Sequence, residues 1–154
     1  MADFDRKLSR RGSKDVSAIG KFLKRRGISA DLIISSPALR AQETTEKIAD
    51  AIAYHNKIYY MKELYLAQAE AIMNLITHQD NDVESLMVVA HNPGITDIAN
   101  WLGDIAILKM PSGSIVSLTF DTDKWSDIET HKGVVDFFVY PKQFRYALPS
   151  ELMD

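Results

Sequence analysis

Hydrophobic residues recur every three to four positions in four segments of the chain, and this spacing predicts four amphipathic helices. The first follows Ser9, a residue type that favours the N-cap, and ends before Gly27, the residue type that most often closes a helix. The other three segments are 38–52, 70–76 and 95–102. Their polar residues fall mostly between the apolar positions, so each helix is expected to bury one face.

Short apolar runs stand between these helices and predict strands. The run 31–36 is β-branched at two positions and is cut off by Pro37, the pattern of a strand buried on both faces. The run 58–60 is a weaker strand prediction, and 85–91 is the clearest buried strand in the chain. Residues 92–94, Asn-Pro-Gly, end that run in a turn.

The pattern changes in the last third of the chain. Segments 114–120 and 133–140 have strand composition with no helix between them, so they are expected to pair antiparallel. Together these elements predict an α/β three-layer sandwich, with a mostly parallel sheet flanked by helices and an antiparallel portion. No linker, repeat or low-complexity stretch divides the chain, so we expect one domain over 1–154.

Composition restricts the classes of function. The net charge is −3, so no overall positive field would attract nucleic acid or anionic lipid, and an anionic substrate needs a local group of cations. The chain has no cysteine, which excludes a thiol nucleophile and a thiolate metal site. No uncharged apolar run reaches the roughly 18 residues of a membrane span. We expect a cytoplasmic protein without nucleic-acid or membrane partners and without a metal or other cofactor.

Two residues that can bind an anion follow predicted buried strands, at the sheet edge where open α/β folds place ligands. Arg40 lies in the first turn of the second helix, where its guanidinium and the helix amides could hold one phosphate. His91 follows the run 85–91 directly and could contact an oxyanion. From spacing alone, a surface arginine at position 40 and a core histidine at position 91 are the favoured interpretations.

Four motifs, in this order, resemble the SixA-type phosphohistidine phosphatases of the histidine phosphatase superfamily. They are DFDRKLSRRG (3–12), SSPALRAQET (35–44), HNPG (91–94) and MPSGS (110–114), and the similarity spans essentially the whole chain. The resemblance implies a phosphoglycerate mutase-like fold. It also implies a metal-independent phosphatase in which a histidine of an Arg-His motif takes up the phosphoryl group. The expected substrate is phosphohistidine in a protein or a small phosphoester.

The resemblance lacks one part, the Arg-His motif and the strand that carries it. In the family this strand stands ahead of the segment matching 3–12, where this sequence has only Met1 and Ala2. We therefore expect a fold without its first strand and with exposed sheet edges. A start codon assigned too late, a truncation and a true pseudoenzyme all remain open. The first is favoured because a missing strand costs stability as well as activity.

Roles implied by the resemblance fall on matching positions. Arg40 and His91 are expected to bind the phosphoryl oxygens, and neither is the nucleophile. Glu63 stands where many members keep a proton-donating acid, although a surface glutamate fits equally well. Ser36 and Ser114 are weaker candidates as hydroxyl donors to phosphate, and Ser36 could instead cap the second helix.

The other three histidines, at positions 55, 78 and 131, do not follow buried strands and are expected at the surface. No two histidines have the i, i+4 spacing of a helical metal motif. Without a nucleophile among these residues, the alternative function is a phosphate- or phosphopeptide-binding module that does not turn over its ligand.

Overall fold

A computed structural model describes residues 2–129 and 132–145 of the chain. Five α-helices are present in this part: α1 Arg10–Arg25, α2 Leu39–Ala51, α3 Ala69–Thr77, α4 Gly94–Leu102 and the short α5 Lys142–Arg145. Ser9 caps α1 by accepting a hydrogen bond from the backbone N–H of Gly12, and Gly27 follows the helix with a φ of 70°. The four helices predicted from apolar spacing are therefore confirmed.

The strands follow the predicted positions closely. They are β1 Leu32–Ser35, β2 Ile58–Tyr60, β3 Leu86–Val89, β4 Ile115–Thr119 and β5 Val134–Val139. The first three form a parallel sheet in the order β2-β1-β3, and β4 pairs antiparallel with β5. The α/β class with parallel and antiparallel portions is confirmed.

One prediction about the sheet is wrong in detail. The run 85–91 is predicted to be the clearest buried strand, yet every residue of β3 is only half-buried. β3 is only half-buried because it lies at the edge of the sheet. It pairs with β1 on one side, and no strand of the described residues pairs with its other side. The expected single sheet is correspondingly two sheets within residues 2–129 and 132–145.

Side chains from the parallel sheet alternate between two cores, as the period of two in a strand requires. One core lies beneath α3 and α4 and includes Ile34, Leu64, Ile72, Ile98 and Leu102. The second lies beneath α1 and α2 and includes Val16, Ile19, Leu23, Ile48 and Val139, with Met87 of β3 packed against it. Helices therefore cover both faces of the sheet and make the three layers.

The turn after β3 is packed against the segment that follows the helical turn Lys62–Leu64. Gly94 is buried, and a Cβ built there would overlap the backbone carbonyl oxygen of Ala67. Only glycine allows this close approach between the two backbones. The contact brings the segment carrying Tyr65 next to the end of β3. Among the described residues, no helix is both long and apolar enough to cross a membrane.

Replacing Gly94 by alanine should lower the free energy of unfolding by about 1–3 kcal/mol, because the new methyl group forces two backbone segments apart. Urea denaturation followed by circular dichroism would measure the change. Gly12→Ala is the control, since its new methyl would meet side-chain atoms of Leu8 and Ser9 at 3.2 and 3.3 Å and no backbone atom. Equal effects of the two substitutions would show that the close approach at Gly94 is unimportant.

Candidate functional site

Arg40 and His91 lie side by side at the carboxyl ends of two neighbouring strands. The parallel register pairs Ser35 of β1 with Val89 of β3, so the residues that follow these strands leave the sheet at the same edge. Arg40 Nη2 is 3.3 Å from His91 Nδ1. The Arg40 side chain keeps 23% of its surface exposed, so it is not the solvated surface arginine that the sequence alone allowed.

Ser36 completes this arrangement from the end of β1. Its Oγ lies 2.7 Å from His91 Nε2 and also accepts a hydrogen bond of 3.2 Å from the backbone N–H of Ala38, just before α2. The hydroxyl therefore assists the start of the helix and holds the imidazole at the same time. Ser36 is fully buried. Ser36, Arg40 and His91 form the site cluster.

These contacts determine which nitrogen of His91 carries the proton. A guanidinium only donates hydrogen bonds, so Nδ1 must accept from Arg40 and the proton of the neutral ring sits on Nε2, which donates to Ser36. Burial lowers the pKa of His91, the Arg40 charge lowers it further, and the Asp3 carboxylate opposes both. His91 is therefore a neutral imidazole at pH 7, with a lone pair directed at Arg40.

Two residues that sequence reasoning missed lie at the site, Asp3 from the N-terminal segment and Tyr65 from just after the 3₁₀ helix Lys62–Leu64. Asp3 accepts hydrogen bonds from Arg40 at its backbone oxygen, 2.9 Å from Nη1, and at Oδ2, 3.2 Å from Nη2. Tyr65 donates from its hydroxyl to the same Oδ2 at 2.7 Å, and its ring lies edge-on to His91 with centroids 5.4 Å apart. Asp3 stands 37 residues from Arg40, so no local pattern indicates their contact. The motif DFDRKLSRRG, which contains Asp3, was the only feature of the sequence that pointed to this segment.

Ionisation of these two residues follows from their contact. The hydrogen bond from Tyr65 lowers the pKa of Asp3, helped by the charges of Arg40 and Arg6 and opposed by desolvation. The same bond raises the pKa of Tyr65. At neutral pH, Asp3 is thus a carboxylate and Tyr65 a neutral phenol that donates to it.

Other predicted site residues are not joined to the site cluster. Glu63 is exposed in the 3₁₀ helix Lys62–Leu64, and no hydrogen bond or ion pair links it to Arg40 or His91 in the described residues. The Ser114 hydroxyl donates to the carbonyl of Pro111 at 2.6 Å, which closes a local turn. His55 and His78 are exposed, as expected. His131 lies outside the described residues.

Chemically, the site cluster is suited to an anion. Arg40 supplies a planar cation, and the first backbone amides of α2 lack carbonyl partners within the helix, so their dipoles favour negative charge. Neutral His91 can accept a proton and become a second cation. Over residues 2–129 and 132–145, no group of three or more His, Asp or Glu side chains could hold a metal ion.

We expect the pKa of His91 to lie below the 6.5 of a free imidazole and to rise when Arg40 is replaced by alanine, because the neighbouring cation disfavours the imidazolium. NMR titration of the ring carbon-bound protons in both proteins measures this. Lys47→Ala, which removes an exposed cation from the same helix, should leave His91 unchanged. A lower pKa in the Arg40 variant would contradict the assigned contact.

Comparison with other proteins connects this geometry to a family. A model of the histidine phosphatase superfamily (branch 1) matches residues 2–65, which include Asp3, Ser36, Arg40 and Tyr65. An uncharacterized protein of Mycobacterium leprae is 25% identical over 152 residues, covering 92% of this chain and 91% of the relative. An uncharacterized protein of Mycobacterium tuberculosis is 27% identical over 139 residues, covering 84% and 85%.

Solved structures with the same fold include a candidate phosphohistidine phosphatase SixA from Agrobacterium tumefaciens. Its TM-score is 0.76 at 26% identity, with 92% of this chain and 87% of that chain covered. A protein histidine phosphatase SixA solved with tungstate has a TM-score of 0.78 at 21% identity, covering 94% and 90%. The family model matches residues 2–65, and the chain shares the fold of the SixA structures, so it is similar to the SixA-type phosphatases of the histidine phosphatase superfamily.

Proposed function

We propose that this protein is the phosphate-binding part of a phosphatase that hydrolyses phosphohistidine in a protein, or a small phosphoester, through a phosphohistidine intermediate. The observation that carries the proposal is the 3.3 Å approach of Arg40 to His91 at the N-terminal end of α2. A guanidinium, a titratable imidazole and the N-terminal end of a helix in one place make a binding site for a tetrahedral oxyanion.

Arg40 would bind the non-bridging oxygens of the phosphoryl group. Phosphoryl transfer passes through a loose transition state in which charge is spread over those oxygens, so a positioned cation stabilises it more than it stabilises the substrate. The helix dipole of α2 acts in the same direction.

His91 would change protonation as the ligand binds. Burial and Arg40 keep it neutral in the free protein. A phosphate dianion beside Nδ1 favours the imidazolium instead, so His91 would take up a proton and donate it in a hydrogen bond to the ligand. Its other nitrogen already donates to Ser36, so the ring needs no rotation to do this.

The nucleophile in this proposal is a histidine other than His91. His91 is the only histidine of the described residues that contacts Arg40. In the SixA-type family that this sequence resembles, the nucleophilic histidine comes from an Arg-His motif ahead of the segment matching 3–12. We therefore propose that hydrolysis needs that motif next to the site cluster. Glu63 remains a candidate acid, although an imidazole that leaves as its protonated form needs little help.

The alternative is a module that binds phosphate or a phosphopeptide without hydrolysing it. The observation in its favour is the same lack of a second histidine at the site cluster in the described residues. Both functions need Arg40 to bind an oxyanion. They differ only in whether any form of the protein turns over its ligand.

Tungstate or phosphate should bind the 154-residue chain, and Arg40→Ala should weaken binding by roughly ten- to a hundredfold, because one charge-assisted contact is lost. Isothermal titration calorimetry measures both. Lys47→Ala removes a cation from the exposed side of α2 and should bind like the unmodified chain. Absence of binding, or equal losses in both variants, would reject the phosphate site.

A form extended upstream by a strand ending in Arg-His should hydrolyse an aryl phosphate in the presence of EDTA. In that form Arg40→Ala should cost about 2–4 kcal/mol of transition-state stabilisation, as the loss of one oxyanion donor does elsewhere. Comparison of kcat/KM measures the loss. An extended form that binds tungstate but has no activity would support the binding module, and dependence on a divalent ion would contradict the proposed mechanism.

A further inference from the structure

Asp3 holds Arg40, and Tyr65 holds Asp3, in an arrangement that the proposed function does not explain. A guanidinium is planar and has two edges that can each take a pair of acceptors. Asp3 accepts from Nη1 through its backbone oxygen and from Nη2 through Oδ2, so it occupies the edge formed by the two terminal nitrogens.

The second edge of Arg40 faces His91. Nη2 has a second hydrogen, on the side of Nε, and His91 Nδ1 lies 3.3 Å from this nitrogen. Nε itself makes no hydrogen bond within the described residues. An oxyanion that replaces His91 Nδ1 as the acceptor of Nη2 would therefore use the edge formed by Nε and Nη2, while Asp3 keeps the other edge.

Tyr65 fixes the carboxylate that holds Arg40. Its hydroxyl donates to Asp3 Oδ2 at 2.7 Å, and Arg6 donates to Oδ1 at 2.8 Å, so both carboxylate oxygens are held. The Tyr65 ring stacks edge-on against Phe4, with centroids 5.1 Å apart, and against His91. A single aromatic residue thus contacts both the residue that orients Arg40 and the imidazole opposite it.

We propose that Asp3 and Tyr65 are positioning residues that clamp the terminal edge of Arg40 and direct its Nε edge at the phosphoryl group beside His91. Without the clamp, a long side chain that is 23% exposed has many rotamers, and ordering it must be done by the ligand at a cost in affinity. The proposal rests on the proposed function, since it needs an oxyanion at the site cluster.

Asp3→Asn is the direct test because it keeps the size and the backbone acceptor while removing the charge. It should weaken tungstate binding to the 154-residue chain by roughly five- to twentyfold, the loss of a charge-assisted hydrogen bond. Tyr65→Phe keeps the ring contacts and should weaken binding by roughly two- to fivefold. Asp5→Asn is the matched control, with the same charge change in the same 3₁₀ helix, Asp3–Asp5, and should have no effect.

NMR of the arginine side chain separates positioning from general stability. With the clamp intact, Arg40 should show a slowly rotating guanidinium with distinct Nη signals, and Asp3→Asn should average them while the backbone amide spectrum stays folded. Asp3→Glu, which restores the charge, should recover part of the affinity.

Other results of the tungstate-binding measurements would overturn the clamp or the phosphate site. Tighter binding by Asp3→Asn would mean that the carboxylate competes with the ligand, and it would overturn the clamp. Equal affinity of Asp3→Asn and Asp5→Asn would overturn it too. If the unmodified chain binds no tungstate, the proposed function fails first, whereas binding that depends on Arg40 but not on Asp3 rejects only the clamp.

Discussion

The parallel pairing of β1 with β3 is the constraint on which the site depends. It sets Ser35 opposite Val89, so Ser36 and His91 leave the sheet at the same edge and can share a hydrogen bond of 2.7 Å. A slip of one residue would turn every side chain of β3 to the opposite core, which the two helical layers prevent because each has its own apolar partners. Burial of the strand side chains thereby fixes the register of β1 and β3, and the register positions Ser36 next to His91.

The charges at the site are compensated by neighbouring side chains and are not deeply buried. Arg40 faces the carboxylate of Asp3 on one edge and a neutral imidazole on the other, and Tyr65 and Arg6 hold that carboxylate. The pairs are partly exposed, so their direct contribution to folding stability is small. Their effect is on geometry and protonation, because they keep Asp3 ionised, His91 neutral and Arg40 oriented.

The fold and the site cluster could be predicted to different extents. Apolar periodicity located four helices and five strands, because burial of one helical face or one strand face has a distinct period in sequence. The motifs around Arg40 and His91 were conspicuous because both follow strands directly. Glu63 and Ser114 show the limit of such reasoning: position along the chain placed them near strand ends, but one is exposed and the other closes its own turn.

By itself, the sequence determined the order of helices and strands and the α/β class, and it singled out the two residues proposed to bind an oxyanion, since these follow from local periodicity and from what stands at the end of a strand. Tertiary structure alone decided that β3 is an edge strand in the described part of the chain and that Ser36 binds the imidazole. It also decided that Asp3 reaches Arg40 and that Tyr65 reaches Asp3. These contacts join residues up to 62 positions apart, and no local pattern records which distant side chains folding brings together.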